Sequence, residues 1–223
     1  MNHQSHCGKR IRLAALMLTL LLMLSGCGAN KEEKYSTYVR AYITAAYLGD
    51  GEEYVKCTNS SIDSARQLYD HTVDRLARSL CSYYNLEITD DSELYAKMLE
   101  IAKSVYAKAK FEIVATRKED SGYYVDVTIS SIDFLSSNYE KMKAYVDSYN
   151  ARVDAGEFND IEKEEYERTF ASGILDFLQE STAGITYREP ETISVKISEG
   201  NGGFSLGAAE LMAIDKLIIA VTE

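Results

Sequence analysis

Tryptophan is absent from this 223-residue chain, proline occurs once, at Pro190, and histidine three times, at His3, His6 and His71. Two of those histidines fall in the first six residues. The rest of the chain has one imidazole, and His71 lies off the apolar stripe of its helix, so multi-histidine zinc sites and histidine-dependent triads are excluded. A Gly-rich phosphate loop, a Gly-x-Ser-x-Gly elbow and a His-Glu-x-x-His stretch do not occur. The acidic runs Asp90–Glu93 and Glu162–Glu167 lack the alternating oxygens and central glycine of a calcium loop. Both coincide with helix starts, where carboxylates complement the helix dipole. No cofactor and no metal is therefore expected. Basic residues are in the minority, 24 Lys and Arg against 35 Asp and Glu, and such a surface repels phosphate backbones, so no nucleic-acid partner is expected either. Long apolar runs are missing too: Leu13–Leu24 is 12 residues, whereas a membrane-crossing helix takes ~20.

That short run has its own meaning. It follows Lys9, Arg10 and Arg12 and ends in Leu24-Ser25-Gly26-Cys27, so a basic stretch, an apolar core and small residues come in the order of an export signal. The last four residues resemble the lipobox of bacterial lipoproteins. The resemblance implies lipid transfer to the Cys27 sulfur, cleavage before Cys27 and residence on the outer face of the bacterial cytoplasmic membrane, with the membrane as a partner through the lipid anchor. Ser25 and Gly26 suit a peptidase subsite, and only a cysteine supplies the thiolate that attacks the lipid donor. Residues 1–26 read as signal peptide, 27–34 as lipidated cysteine and polar tether, and 35–223 as one domain. Lys9, Arg10 and Arg12 leave with the signal, so 21 basic residues face 35 acidic ones and the formal charge becomes −14. Cys7 leaves as well, and Cys57 and Cys81 remain. A continuous helix from residue 62 to residue 81 would hold its ends ~29 Å apart, while the chain from Cys57 to Ile62 reaches at most ~17 Å. Bridged Cα atoms must come within ~7 Å, so two unpaired, mostly buried thiols are expected.

Periodicity divides the remainder. Tyr35, Tyr38, Val39, Tyr42, Ile43 and Ala46 fall at helical spacing and stop at Gly49-Asp50-Gly51. Tyr54–Thr58 makes a short turn. Ile62, Ala65, Tyr69, Val73, Leu76, Leu80 and Tyr83 predict a long amphipathic helix behind an Asn59-Ser60-Ser61 cap. The Asp90-x-x-Glu93 spacing predicts a capping box for a third helix, with Leu94, Met98, Ile101 and Val105 inward. The period then drops to two. Phe111, Ile113 and Ala115, then Tyr123, Val125, Val127 and Ile129, predict an antiparallel hairpin with one buried face. A helical pair follows within 133–183, then strands at Ile193–Ile197 and Phe204–Leu206 and a last helix over Ala208–Ala220, with a strand reading open for Leu217–Val221.

This α+β order, with Arg188-Glu189-Pro190-Glu191-Thr192-Ile193-Ser194-Val195 opening the second hairpin, resembles a family of small Firmicutes lipoproteins with an NTF2-like, or cystatin-like, domain over residues 34–220. The resemblance implies a curved antiparallel sheet of about four strands wrapped around helices as a cone whose mouth holds a ligand. The insertion at 133–183 and Phe204, where the family more often has Trp, depart from it. Enzymes built on such cones carry Asp, Tyr or His on the inner face. Here the inward set is Tyr123, Val125, Val127, Ile129, Ile193, Val195 and Ile197, with no carboxylate among them. The reading is therefore a non-catalytic module that binds a small ligand, a peptide or an envelope protein. Two alternatives stay open: an enzyme using carboxylate and tyrosine chemistry, with Tyr124 and Asp126 as its pocket pair, or a structural or regulatory protein working through its helical insertion. The 17 tyrosines fall mostly on core stripes and read as core filling with hydroxyls reaching the rim.

Overall fold

The computed structural model describes residues 26–90, 92–200 and 203–220, with side chains from Lys31 onward; Leu24 and Ser25 lie outside the described residues, and Gly26 and Cys27 enter as backbone alone. The first helix, α1 (Gly26–Ile43), continues into a π-helical turn at Thr44–Leu48. Gly49, at φ 76°, then takes the left-handed conformation that a glycine reaches without a Cβ clash, so the chain turns where the Gly49-Asp50-Gly51 signal predicts. The stretch read as a tether is helical backbone, because α1 extends through residues 28–34 without interruption.

Two more helices, α2 (Glu52–Thr58) and α3 (Ile62–Tyr83), follow, and the Ser61 side chain accepts from the Ser64 N–H at 3.1 Å to cap α3. Val73, Leu76, Ala77 and Leu80 are buried, but the ends of the predicted stripe, Ile62 and Tyr83, are 51% and 46% exposed: the stripe outruns the surface that covers it. Helix α4 (Glu93–Tyr106) starts later than its predicted capping box. Ser92, not Asp90, caps it by accepting from the Tyr95 N–H at 3.1 Å, while Asp90 is held by Arg78 at 2.8 Å. A side chain bound to a guanidinium on another helix is not free to cap.

Strands β1 (Lys110–Glu119) and β2 (Gly122–Ser130) form the predicted hairpin with one correction. Ile113 pairs with Val127, but Ala115 pairs with Asp126, so Val114 is an extra residue. Because side chains alternate, one extra residue reverses every face after it. Ala115, expected inward, is exposed, Val114 is 58% exposed, and Thr116 takes the inner place opposite Val125.

The insertion is fastened at its base by a ribbon that periodicity does not reveal, β3 (Ile132–Asp133) against β4 (Thr186–Tyr187). Between them stand α5 (Tyr139–Asp154) and α6 (Lys163–Ser181). Ala171, Ile174, Leu175 and Leu178 of α6 are buried, whereas α5 buries only Met142 and Tyr149. Then come β5 (Glu191–Gly200), β6 (Gly203–Leu206) and α7 (Ala208–Ile218), and the sheet order is β1-β2-β5-β6, antiparallel throughout. The last helix stops two residues short of its expected end: α7 ends at Ile218, and of the segment open to a strand reading only Ile219 is extended (φ −124°, ψ 123°), in a single bridge to Ile132, while Leu217 and Ile218 are helical.

Helices α1 and α7 cover one face of the sheet. That face carries Val125, Val127, Ile129, Val195 and Ile197, all at most 5% exposed, against Val39, Ile43, Met98, Ile101 and Val105, all fully buried. Each such aliphatic side chain contributes roughly 1.5–3 kcal/mol by leaving water. The inner sheet face, where the cone reading would put a ligand, is thus filled by the protein's own side chains.

Candidate functional site

Tyr124 and Asp126 occupy the opposite, uncovered face of the sheet. The Tyr124 hydroxyl lies 2.8 Å from the Ser121 hydroxyl. Asp126 accepts from the Ser194 hydroxyl at 2.6 Å and from Arg117, and these two partners hold its carboxyl below the usual carboxylate range, Ser194 contributing most. Asp126 thereby ties β2 to β1 and β5, Tyr124 reaches only the turn between β1 and β2, and neither residue lines either of the two hollows described below.

A cavity with mostly apolar walls lies elsewhere. It has a volume of about 370 Å³ and opens between α3 and α7, with Leu76, Leu80 and Tyr83 on one side, Met212 and Ile219 on the other, and Phe134 and Leu135 between. That volume falls within the range of small-molecule pockets. Met212 is 58% exposed at its rim, where its flexible thioether can adapt to what enters. A second, wider hollow of about 860 Å³ between the start of α4 and the α5–α6 pair is more polar and includes Arg152, Arg168 and Asp176.

The wall of the apolar cavity contains one ion pair. Arg75 Nη2 donates to Asp215 Oδ1 at 2.7 Å, and the Tyr47 hydroxyl donates to the same oxygen. Tyr47 reaches it because the π-helical turn widens the end of α1 there, and turns of this kind recur at functional sites. Burial, and then the bond to Asp215, push the Tyr47 hydroxyl far above its ordinary range, so it stays a donor. Tyr106, which also lines the cavity, is pushed up to about 12 by burial although neighbouring Arg75 pulls the other way. The Tyr47 and Tyr106 rings meet edge to face at 5.3 Å. The sequence signal for this cluster is an aspartate within the largely apolar stretch Leu211–Ile218, and it becomes a signal only once Arg75 and Tyr47 are known to meet it.

Cys57 and Cys81 are unpaired and partly buried, and burial raises both thiols above their ordinary range. His71 is exposed, in keeping with the surface position its place off the stripe implies. Among the described residues no three His, Cys, Asp or Glu side chains gather where they could share a metal ion, and no helix is long and apolar enough to cross a membrane.

No family model matches the sequence, and no curated protein matches it. Among solved structures, the chain is similar to a candidate lipoprotein, YcdA of Bacillus subtilis, with a TM-score of 0.62 at 16% identity over 86% of this chain. It spans 58% of the length of that protein. At this identity the likeness is one of fold: the α+β arrangement of a four-stranded antiparallel sheet and its helices is shared with a protein described as a lipoprotein.

Proposed function

We propose that this chain is a lipid-anchored protein of the bacterial envelope whose domain binds, without transforming it, a small apolar-bodied ligand in the cavity between α3 and α7. The single observation that carries the binding reading is that cavity: apolar walls, an exposed Met212 at the rim, and one ion pair set into an otherwise greasy surface. The anchoring reading rests on Leu24-Ser25-Gly26-Cys27 behind its apolar run and is supported by the fold shared with a candidate lipoprotein. The element order also supports descent from the NTF2-like cone, with the ligand space moved from the sheet face to the gap between two helices.

Twenty residues of continuous helix separate Cys27 from Tyr47, or ~30 Å of rise. With a lipid on Cys27, the Tyr47–Asp215 cluster lies about one helix length along α1 from the anchor.

Two measurements test the parts separately. Cells fed labelled palmitate should label the wild-type chain and leave Cys27→Ser unlabelled; label on the serine variant removes the anchor reading. The chain from Cys27 to Glu223 carrying Cys27→Ser, which retains every described side-chain contact, should gain thermal stability with apolar compounds of about a dozen heavy atoms. Met212→Ala should weaken that gain. A panel that leaves the unfolding temperature unmoved removes the binding reading.

A further inference from the structure

The polar end of the cavity allows the ligand class to be narrowed, an inference that rests on the binding reading above. Arg75 and Tyr47 both donate to one oxygen of Asp215, Oδ1. Asp215 Oδ2 has no hydrogen-bond partner among the described residues, and Asp215, which lines the cavity, keeps 28% of its side chain accessible. Arg75 has five N–H donors in a planar fork. One of them is used on Asp215 and the guanidinium also meets the Tyr106 hydroxyl, but with the side chain 48% accessible other donors remain for a ligand. The cavity wall therefore presents an acceptor with a vacant lone pair beside unused donors, both fixed by the same ion pair.

A head group meeting this pair faces opposite costs according to its charge. An anion would be drawn to Arg75 but brought against the open oxygen of Asp215. A cation would be drawn to Asp215 but brought against Arg75 and, at the rim, against Lys216, which has no ion partner among the described residues. Within a cavity of low polarity either repulsion is felt more strongly than in water. A neutral group that offers one N–H and one carbonyl side by side meets neither cost and satisfies both faces of the pair. Space bears on the apolar part: at ~30 Å³ per heavy atom, the volume that water takes in the liquid, about 370 Å³ holds about a dozen atoms.

We infer that the cavity selects an uncharged amide attached to an apolar group of about ten atoms, with Asp215 Oδ2 accepting the amide N–H and Arg75 donating to its carbonyl. The pair is offered either by the primary amide of an acyl chain or by the N–H and C=O of one residue in an extended hydrophobic peptide, which lie on the same edge, whereas those of a single trans peptide unit point apart.

Three probes with one tail separate the head groups: decanamide, decanoate and decylamine, titrated calorimetrically below their aggregation concentrations into the Cys27→Ser chain. Decanamide should bind at least tenfold more tightly than either charged probe. A fourth probe, N-acetyl-leucine amide and its dileucine homologue, assigns the source: tighter binding than decanamide indicates a peptide, weaker binding an acyl amide. Charge-removing variants supply a readout that misfolding cannot mimic, because each should gain a ligand. Arg75→Gln should reverse the order in favour of decylamine, and Asp215→Asn in favour of decanoate. Equal affinity for all three heads, or a preference of the wild type for a charged one, overturns the amide assignment while leaving the cavity as a binding site. Failure of every probe to bind, with Met212→Ala indistinguishable from wild type, overturns the binding reading itself.

Discussion

Tyr47 donates its hydroxyl to Asp215 across 168 residues of sequence, joining the π-helical end of α1 to the last helix of the chain. The phenol is 2% exposed and the carboxylate also receives Arg75, so the contact is one edge of a small polar network in an apolar setting. Tyr47→Phe removes the donor and leaves Asp215 paired with Arg75. We expect a loss of about 1.5–3 kcal/mol, the usual range for a hydrogen bond to a charged group, read as a shift in urea midpoint at unchanged slope. Asp215→Ala should cost more, since it leaves both Tyr47 and Arg75 without their acceptor.

The start of α4 gives a sharper contrast. Ser92 caps the helix, whereas Asp90 makes only an exposed ion pair with Arg78, the two side chains being 64% and 53% accessible. Ser92→Ala should cost about 1 kcal/mol, and Asp90→Ala about 0.2–1 kcal/mol that fades in high salt. Equal losses insensitive to salt would return the capping role to Asp90.

Stability should decline at alkaline pH. Burial pushes Tyr38 and Tyr106 up to about 12 from an ordinary value of 10.0, and the two are 4% and 5% exposed. Between these values the unfolded chain releases protons that the folded chain retains, so the stabilisation is complete below about pH 10 and is lost as pH rises towards about 12. Unfolding free energy measured from pH 8 to pH 12 should fall over that window, and Tyr106→Phe should flatten the fall. A midpoint constant across the window would contradict the burial of these phenols.

Cys57 and Cys81 should behave as protected thiols. Both are partly buried and both are raised by that burial, so reaction with a thiol reagent at pH 8 should be slow in the folded chain and rapid after unfolding. Mass spectrometry of oxidised protein should show no Cys57–Cys81 bridge. The helix Ile62–Tyr83 is continuous, as the distance argument against that bridge requires.

Most of the secondary structure is legible in the residues because burial imposes its period locally. Val125, Val127 and Ile129 recur every second residue and lie on one face; Val73, Leu76 and Leu80 recur at helical spacing and lie inside. The errors share one origin. Val114 is a good strand residue, and nothing in its neighbours announces that it is the extra one, since a bulge is defined by the partner strand's register. Asp90 and Ser92 are both suitable caps, and Arg78, twelve residues before Asp90, decides between them.

The sequence by itself determines the α+β class, the greasy face of the sheet, the turn at Gly49 and the lipobox-like stretch Leu24-Ser25-Gly26-Cys27, because each depends on residues within a few positions of one another. The tertiary structure alone decides that the inner sheet face is packed solid, that the open space lies between α3 and α7, and that Asp215 meets Arg75 and Tyr47 there. Those are relations between separate segments, the Arg75–Asp215 and Tyr47–Asp215 contacts spanning 140 and 168 residues, and a chain carries no local periodicity that could encode which of its helices will leave a gap.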